Sequence, residues 1–334
     1  MMYRYVLMLM LALMAVATAC GIDKGDEPVI VPDQPQPESW QPDTLRVLAI
    51  GNSYSIDAFA LLPFVLRQVS PGTHIVVGIL YRGGADLGWH LTSLKTGRAY
   101  EAYYKWTSGQ PQWSRLSTVT TLQALADEQW DCVTLQQVSA QSIDYGTISP
   151  FLRPMVSLLR DSGYHGRLAW VVTPAYPDGS ARLTNGTLKQ GGVAVSLTSD
   201  QMLEAIGQAS RQVMQTGCCD LLLPCGTALQ NARHTALGQY GDWGQMTNEG
   251  FHLQSGIGMY VEACAAAMAL LGTTFDSCRI SIQQADYQPL SRGRQVGMGF
   301  DNQDIAVGCA ARAYFAPYYH AMTDTMARAS RRSA

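Results

Sequence analysis

The chain is poor in charge, has no internal repeat and lacks a cluster of metal-ligand residues. Only 15% of its 334 residues are charged, and 23 Lys and Arg against 26 Asp and Glu give a net charge of −3 at pH 7. Without a basic run, a nucleic-acid interface is not expected. Hydrophobic residues reach 47%, enough for a sizeable core in one large α/β domain.

Cysteine occurs in a number that excludes complete pairing. There are eight cysteines, and one of them, Cys20, belongs to the N-terminal segment described next. Three others lie in apolar runs typical of small core residues: Cys132, Cys264 and Cys309. Cys218, Cys219 and Cys225 lack the spacing of a zinc ribbon. No metal and no organic cofactor is predicted. The sequence is compatible with one disulfide among these cysteines and does not assign its partners.

The N-terminal segment has the pattern of an export signal. Arg4 precedes an unbroken apolar run from Val6 to Val16, and small residues lead to Cys20. The run is too short for a membrane-spanning helix with ordinary flanks. We interpret residues 1–19 as a bacterial lipoprotein signal and Cys20 as the lipidated residue, the alternative being an ordinary secretory signal with an incidental cysteine. The protein is then expected in the bacterial cell envelope, anchored to a membrane.

A proline-rich, acidic stretch follows the signal. Residues 20–43 contain five prolines between Pro28 and Pro42 and too little apolar surface to form a core. We interpret this stretch as a tether and residues 44–334 as the folded domain.

From Leu45 onward, short apolar strands alternate with amphipathic helices, which predicts a parallel sheet covered on both faces. The predicted strands are Leu45–Ile50, His74–Leu80, Cys132–Gln136, Arg167–Val172 and Asp220–Leu223. The predicted helices lie near Ala58–Gln68, Thr121–Gln129, Phe151–Asp161, Gln201–Thr216, Gly256–Leu271 and Asp304–Tyr319. The aromatic-rich segment Tyr100–Trp113 is interpreted either as a small lid or as a sugar-stacking surface.

Ligands bind beyond the carboxyl ends of the strands in such a sheet. The loop after the first strand reads Gly51-Asn52-Ser53, so that the Ser53 hydroxyl is expected at the sheet edge, available as a nucleophile. The second strand is followed by Gly83-Gly84, where the backbone can approach closely and offer an N–H to a developing oxyanion.

Two further loops add polar groups to the same edge. Gln136 and Gln137 end an apolar strand, where a buried amide needs partners and could serve the oxyanion. Glu249 precedes His252 by three residues, which lets a carboxylate hold one imidazole nitrogen while the other faces a serine. His90 and His234 are the other histidines that could line the cleft, whereas His74, His165 and His320 fit structural or exposed positions. Asp242, Trp243 and Arg233 precede the Glu249 loop closely enough to line the same cleft.

Together these four loops resemble the SGNH/GDSL hydrolase superfamily, in the same chain order and at the same sheet positions. The chain is more narrowly similar to SGNH-like lipoproteins of uncharacterised function from Bacteroidetes, over roughly Leu45 to Ala321. It departs from the superfamily pattern at three places. Asn52 stands where the superfamily usually has Asp, and Glu249 also replaces an Asp. The Gln136-Gln137 segment stands where the superfamily usually has Asn.

The resemblance implies a three-layer, flavodoxin-like α/β sandwich with a parallel five-stranded sheet. It also implies a serine esterase in which Ser53 attacks, His252 acts as base and Glu249 orients the imidazole. The oxyanion hole would use the Ser53 and Gly84 N–H groups with Gln136 or Gln137. For an exported lipoprotein the expected substrate is an acyl ester, acetyl first, on a glycan. The alternatives are a glycan-binding protein that no longer turns over, and a lipase-like esterase with Tyr100–Trp113 as its lid.

Overall fold

The computed structural model describes residues 42–320. The predicted signal, Cys20 and all but the last two residues of the predicted tether therefore lie outside the described residues. The strands in chain order are β1 (Thr44–Gly51), β2 (His74–Tyr81), β3 (Ala102–Thr107), β4 (Ser114–Leu116), β5 (Cys132–Leu135), β6 (Arg167–Val171), β7 (Lys189–Gln190), β8 (Val193–Ala194), β9 (Leu221–Leu223), β10 (Thr247–Asn248) and β11 (His252–Leu253). The α-helices are α1 (Ser53–Phe59), α2 (Leu62–Val69), α3 (Leu87–Thr96), α4 (Thr121–Asp127), α5 (Ser149–Asp161), α6 (Ser199–Gln215), α7 (Cys225–Arg233), α8 (Ile257–Leu271) and α9 (Phe300–Phe315).

The main sheet is mixed, with seven strands in the order β4-β3-β2-β1-β5-β6-β9. From β2 to β9 the neighbours pair in parallel, and these are the five strands that the sequence predicts, each within one or two residues of its expected ends. Because helices connect them, the α/β class and the mostly parallel sheet are confirmed.

A sheet of only five strands is wrong, because β3 and β4 extend the sheet beyond β2 in antiparallel pairing. Both strands come from the Tyr100–Trp113 segment and its continuation. The large aromatic residues of this segment are buried rather than exposed, with Tyr103, Trp106 and Trp113 each at most 5% exposed. The segment therefore covers the edge of β2 as part of the sheet, and the expectation that it forms a separate lid or an extended exposed stacking surface is wrong.

Alternate residues of β1 face the two sides of the sheet. Leu45, Val47 and Ala49 join the core formed with α1, α2, α7, α8 and α9, whereas Leu48 and Ile50 join the core formed with α3, α5 and α6. Helix α8 is buried along its whole length, as expected for a helix that is apolar on all sides. No helix within residues 42–320 is both long enough and apolar enough to span a membrane.

The predicted helix Ala58–Gln68 is two helices, α1 and α2. Pro63 lies in the first turn of α2, where its missing N–H does no harm, whereas it would interrupt the hydrogen bonding of a continuous helix. The break separates α1 from α2 and leaves Ser53 at the first position of α1. Helices α3 and α7 were not predicted.

Candidate active site

The residue before Ser53 fixes the loop between β1 and α1. Asn52 is buried, and its Oδ1 accepts hydrogen bonds from the Tyr54 N–H (3.0 Å) and from Gln136 Nε2 (2.8 Å). Its Nδ2 donates to the carbonyl of Ala85 (2.9 Å). An aspartate has no N–H to donate there, so asparagine suits this loop, and it ties the Ser53 loop to the loop after β2.

Gly51 leaves no room for a side chain. A Cβ at this position would lie 2.0 Å from Ser55 Oγ and 3.2 Å from Gln136 Cδ. The space is taken by a buried hydrogen bond in which Ser55 Oγ donates to Gln136 Oε1 (2.9 Å). The side-chain amide of Gln136 is therefore engaged in fixing the first turn of α1.

Helix α1 also holds the segment that carries His252. The Tyr54 hydroxyl donates to the Phe251 carbonyl (3.1 Å), and Asp57 Oδ2 accepts from the Leu253 N–H (3.3 Å). These two contacts lie on either side of His252 in the chain. As a result His252 Nε2 lies 2.9 Å from Ser53 Oγ, within hydrogen-bonding distance.

Glu249 lies on the other side of the imidazole but does not hydrogen-bond to it. Its Oε2 is 3.7 Å from His252 Nδ1, and its side chain is 71% exposed. Burial, then Arg292 and Arg182, lower the pKa of His252 to about 3. At neutral pH the imidazole is therefore uncharged, and Glu249 has an ion-pair partner only when His252 takes up a proton.

Arg292 is the part of the site that the sequence did not reveal. Its Nη2 donates to the Ser53 carbonyl (3.2 Å), and its Nη1 lies 3.4 Å from Asp57 Oδ1. Asp57 is fully buried, and burial raises its pKa to about 6 in spite of Arg292 and the Leu253 N–H, which act in the opposite direction. Arg292 stands in a segment, Gln288–Gln303, whose loop-like pattern carries no signal for such a role.

Two backbone N–H groups in the loops after β1 and β2, those of Ser53 and Gly84, donate to no backbone carbonyl among residues 42–320. Gly84 has a φ of +64°, which glycine adopts without strain. Gln137 is turned away from them: its Nε2 donates to the Thr147 carbonyl (2.9 Å) and its Oε1 accepts from the Leu87 N–H (3.0 Å). Since the Gln136 amide is also engaged, the structure brings neither glutamine to these two N–H groups.

Ser53 and His252 open into a cavity of about 340 Å³. Tyr81, at the end of β2, and Tyr104, in the middle of β3, line it together with Glu249 and Arg292. A larger cavity of about 570 Å³, between residues 280–284 and 294–300, contains neither Ser53 nor His252. Within the described residues, no group of three or more His, Cys, Asp or Glu side chains is placed to hold a metal ion.

The remaining candidates lie elsewhere. Neither His90 nor His234 is among the residues that line the cavity at Ser53. His90 is buried against the Tyr100 hydroxyl (2.8 Å), and His234 contacts Asp200 (2.9 Å). Arg233 is buried and donates to the Ala175 carbonyl (3.0 Å). The seven cysteines of residues 42–320 are all free and buried.

Comparison with known proteins gives one family. Residues 46–288 match the family model described as "Domain of unknown function (DUF4886)". A crystal structure of a DUF4886 family protein from Bacteroides uniformis ATCC 8492 is similar, with 26% identity, a TM-score of 0.68 and coverage of 85% of this chain and 99% of that one.

A crystal structure of TesA aligns more distantly, with 13% identity, a TM-score of 0.37 and coverage of 68% of this chain and 99% of that one. No curated protein matches. Since the family model spans well over half of the residues, the chain belongs to the DUF4886 family.

Proposed function

We propose that this protein is an SGNH-type serine esterase. The observation that carries the proposal is the 2.9 Å contact between Ser53 Oγ and His252 Nε2, at the mouth of a cavity and beyond the carboxyl end of β1. A hydroxyl this close to an uncharged imidazole nitrogen can be deprotonated as it attacks a carbonyl carbon.

Each residue of the site has a separate role in the proposed reaction. Ser53 Oγ attacks the ester carbonyl while His252 Nε2 takes the hydroxyl proton, which it returns to the leaving alcohol. The Ser53 and Gly84 N–H groups stabilise the oxyanion, each such donor contributing roughly 100-fold or more in rate. Water then attacks the acyl-enzyme with His252 again as base. Glu249 stabilises the imidazolium that forms in both steps.

The proposed substrate is an acyl ester, acetyl first, on a glycan. The cavity of about 340 Å³ is near the lower end of ligand-site volumes, which favours a short acyl group over a fatty acyl chain. Tyr81 and Tyr104 supply aromatic surface and hydroxyl groups beside the nucleophile.

The test is hydrolysis by the purified full-length protein. It should cleave a short-chain aryl acetate faster than a long-chain ester, and activity should persist in a chelator. Ser53→Ala and His252→Ala should each abolish activity to a similar degree, because nucleophile and base act as a unit. Circular dichroism and melting temperature, unchanged in both variants, are the control for folding.

A binding protein without turnover is the outcome that would overturn the proposal. In that case the wild type would release no acetate from aryl esters or acetylated glycans, yet it would bind those glycans as tightly as Ser53→Ala does. The 3.7 Å gap between Glu249 and His252 would then reflect a site that has lost its catalytic geometry.

The proposed location is the bacterial cell envelope, with lipidated Cys20 as the membrane anchor. In a bacterial host the wild type should fractionate with membranes, whereas Cys20→Ala should be released or remain unprocessed. A wild-type protein found in the soluble fraction with an unmodified mature terminus would contradict the anchor.

A further inference from the structure

The loop that precedes His252 exposes a large aromatic side chain. Among residues 42–320, Trp243 is the only tryptophan that is mainly exposed, at 51%. It lies in the segment Tyr240–Gly250, which we call the Trp243 loop. Solvent-exposed indole is unusual in a chain that buries its other described tryptophans in whole or in large part. Trp243 does not line the cavity at Ser53, but its loop contains Glu249, which does.

The Trp243 loop is held in one unusual conformation. Of the four non-glycine residues with left-handed φ in the part of the chain that the structure describes, it contains three: Gln245, Met246 and Glu249. Each costs on the order of 1 kcal/mol, and such residues concentrate at functional sites. Backbone hydrogen bonds from Met246 to Tyr240 (2.6 Å) and from Trp243 to Thr247 (3.2 Å) hold the loop together.

The indole packs beside the segment that carries the base. A Cβ at Gly250 would lie 3.5 Å from Trp243 Cε2 and 3.6 Å from its Cζ2. Gly250 is two residues before His252, a separation of at most about 7 Å. The indole is therefore within about 12 Å of the His252 backbone, a distance that a glycan carrying an ester at Ser53 can span.

The charges around the indole select the chemistry of the ligand. Asp242 and Glu249 are exposed on the same loop, whereas Arg182 and Arg292 are the cations that act on His252. Charges of both signs disfavour a lipid surface and a strongly charged ligand. A neutral ring with an apolar face and several hydroxyl groups fits both the indole and the hydrogen-bonding side chains.

We propose that Trp243 is the stacking platform for the sugar ring that carries the ester, with Asp242 accepting hydrogen bonds from its hydroxyl groups. This inference rests on the proposed esterase function and assigns the leaving-group side of the same site. The acyl group enters the cavity at Ser53, and the sugar extends over Glu249 and Gly250 to the indole.

The test compares two esters that differ in the sugar. Trp243→Ala should raise KM for partially acetylated xylo-oligosaccharides about tenfold, while kcat/KM for 4-nitrophenyl acetate changes less than twofold. Trp243→Phe should recover part of the loss. Phe315→Ala is the matched control, because Phe315 is 48% exposed on α9 and should leave both esters unaffected.

A second measurement does not depend on turnover. Ser53→Ala should bind the same oligosaccharides in calorimetry, and Ser53→Ala/Trp243→Ala should bind them at least tenfold more weakly. If neither ester is hydrolysed but this difference in binding is found, the esterase function fails and the sugar platform stands.

The proposal is overturned if Trp243→Ala affects the two esters equally, or if it leaves both KM and oligosaccharide binding unchanged. It is also overturned if acetylcholine, and not the acetylated oligosaccharide, is the ester whose KM rises in Trp243→Ala, since the indole would then be a cation site.

Discussion

The nucleophile and the base stand on two parts of the chain that are built differently. Ser53 lies between β1 and α1, where Asn52, Ser55 and Gln136 are buried and hydrogen-bonded to one another. His252 follows the Trp243 loop, in which left-handed backbone is frequent and Glu249 is largely exposed. The first part is fixed by buried side-chain hydrogen bonds. The second is fixed by backbone hydrogen bonds within its own loop, together with the contacts from Tyr54 and Asp57.

The two parts are therefore expected to respond differently to substitution. A buried, fully hydrogen-bonded turn holds a nucleophile at one position, because any shift breaks several contacts together. A loop at the rim can change its side chains toward a substrate with little effect on the core. We therefore expect substitutions in the Ser53 turn to affect stability and rate together. Substitutions of the exposed residues of the Trp243 loop, Asp242, Trp243 and Glu249, should affect rate or KM alone.

The largest effect is expected at Gly51. In Gly51→Ala the new Cβ displaces Ser55 Oγ from Gln136, which we expect to cost about 2 to 4 kcal/mol of unfolding free energy through overpacking and a lost hydrogen bond. A shift of Ser53 by about 1 Å would lower kcat by roughly 100-fold. Urea unfolding and aryl acetate hydrolysis measure the two effects.

Gly72→Ala is the matched control for Gly51→Ala. Its Cβ would meet no atom within 4 Å, so stability and rate should stay near those of the wild type. If Gly51→Ala behaved like Gly72→Ala, the Ser53 turn would not be the rigid part of the site.

A smaller effect is expected at Glu249, on the exposed side. Because its carboxylate is 3.7 Å from the imidazole and largely exposed, Glu249→Ala should lower kcat by about two- to fivefold, the scale of a solvent-screened charge pair. The loss should be smaller than in Ser53→Ala, and Asp242→Asn should have little effect on kcat with aryl acetate. A greater loss in Asp242→Asn would mean that the orienting carboxylate is Asp242.

The parallel strands and the Ser53 loop can be predicted from the sequence, whereas Arg292 and strand β3 cannot, for physical reasons. The five parallel strands are continuous apolar runs, so their position and the Ser53 loop follow from local pattern. Arg292 lies 239 residues after Ser53 in the chain, and nothing local marks a contact of that range. The sequence does not predict strand β3, because a run of aromatic residues is equally compatible with exposed surface; in the structure β3 pairs with β2 and these residues are buried.

Arg292 can be tested through the pKa of His252. The guanidinium disfavours the imidazolium, so Arg292→Gln should raise the pKa of His252 from about 3 toward its ordinary value of 6.5. Burial, the largest cause of the low pKa, remains in this variant together with Arg182, so an NMR titration of the imidazole should show an upward shift of the inflection relative to the wild type. Glu249→Gln should show none, and an unchanged titration in Arg292→Gln would exclude the electrostatic role.

The smallest effect is expected where the two parts meet. In Tyr54→Phe the Phe251 carbonyl loses the phenol that donates to it (3.1 Å), which should cost about 1 kcal/mol of unfolding free energy. If this bond positions His252, kcat should also fall a few-fold, with KM unchanged. Tyr164→Phe is the control, since the Tyr164 hydroxyl donates to the Arg167 carbonyl at the other end of the sheet. It should lose similar stability and no activity. Equal kcat in the two variants would refute a role of the Tyr54 hydrogen bond in positioning His252 and would leave Asp57, through the Leu253 N–H, as the contact of α1 that holds this segment.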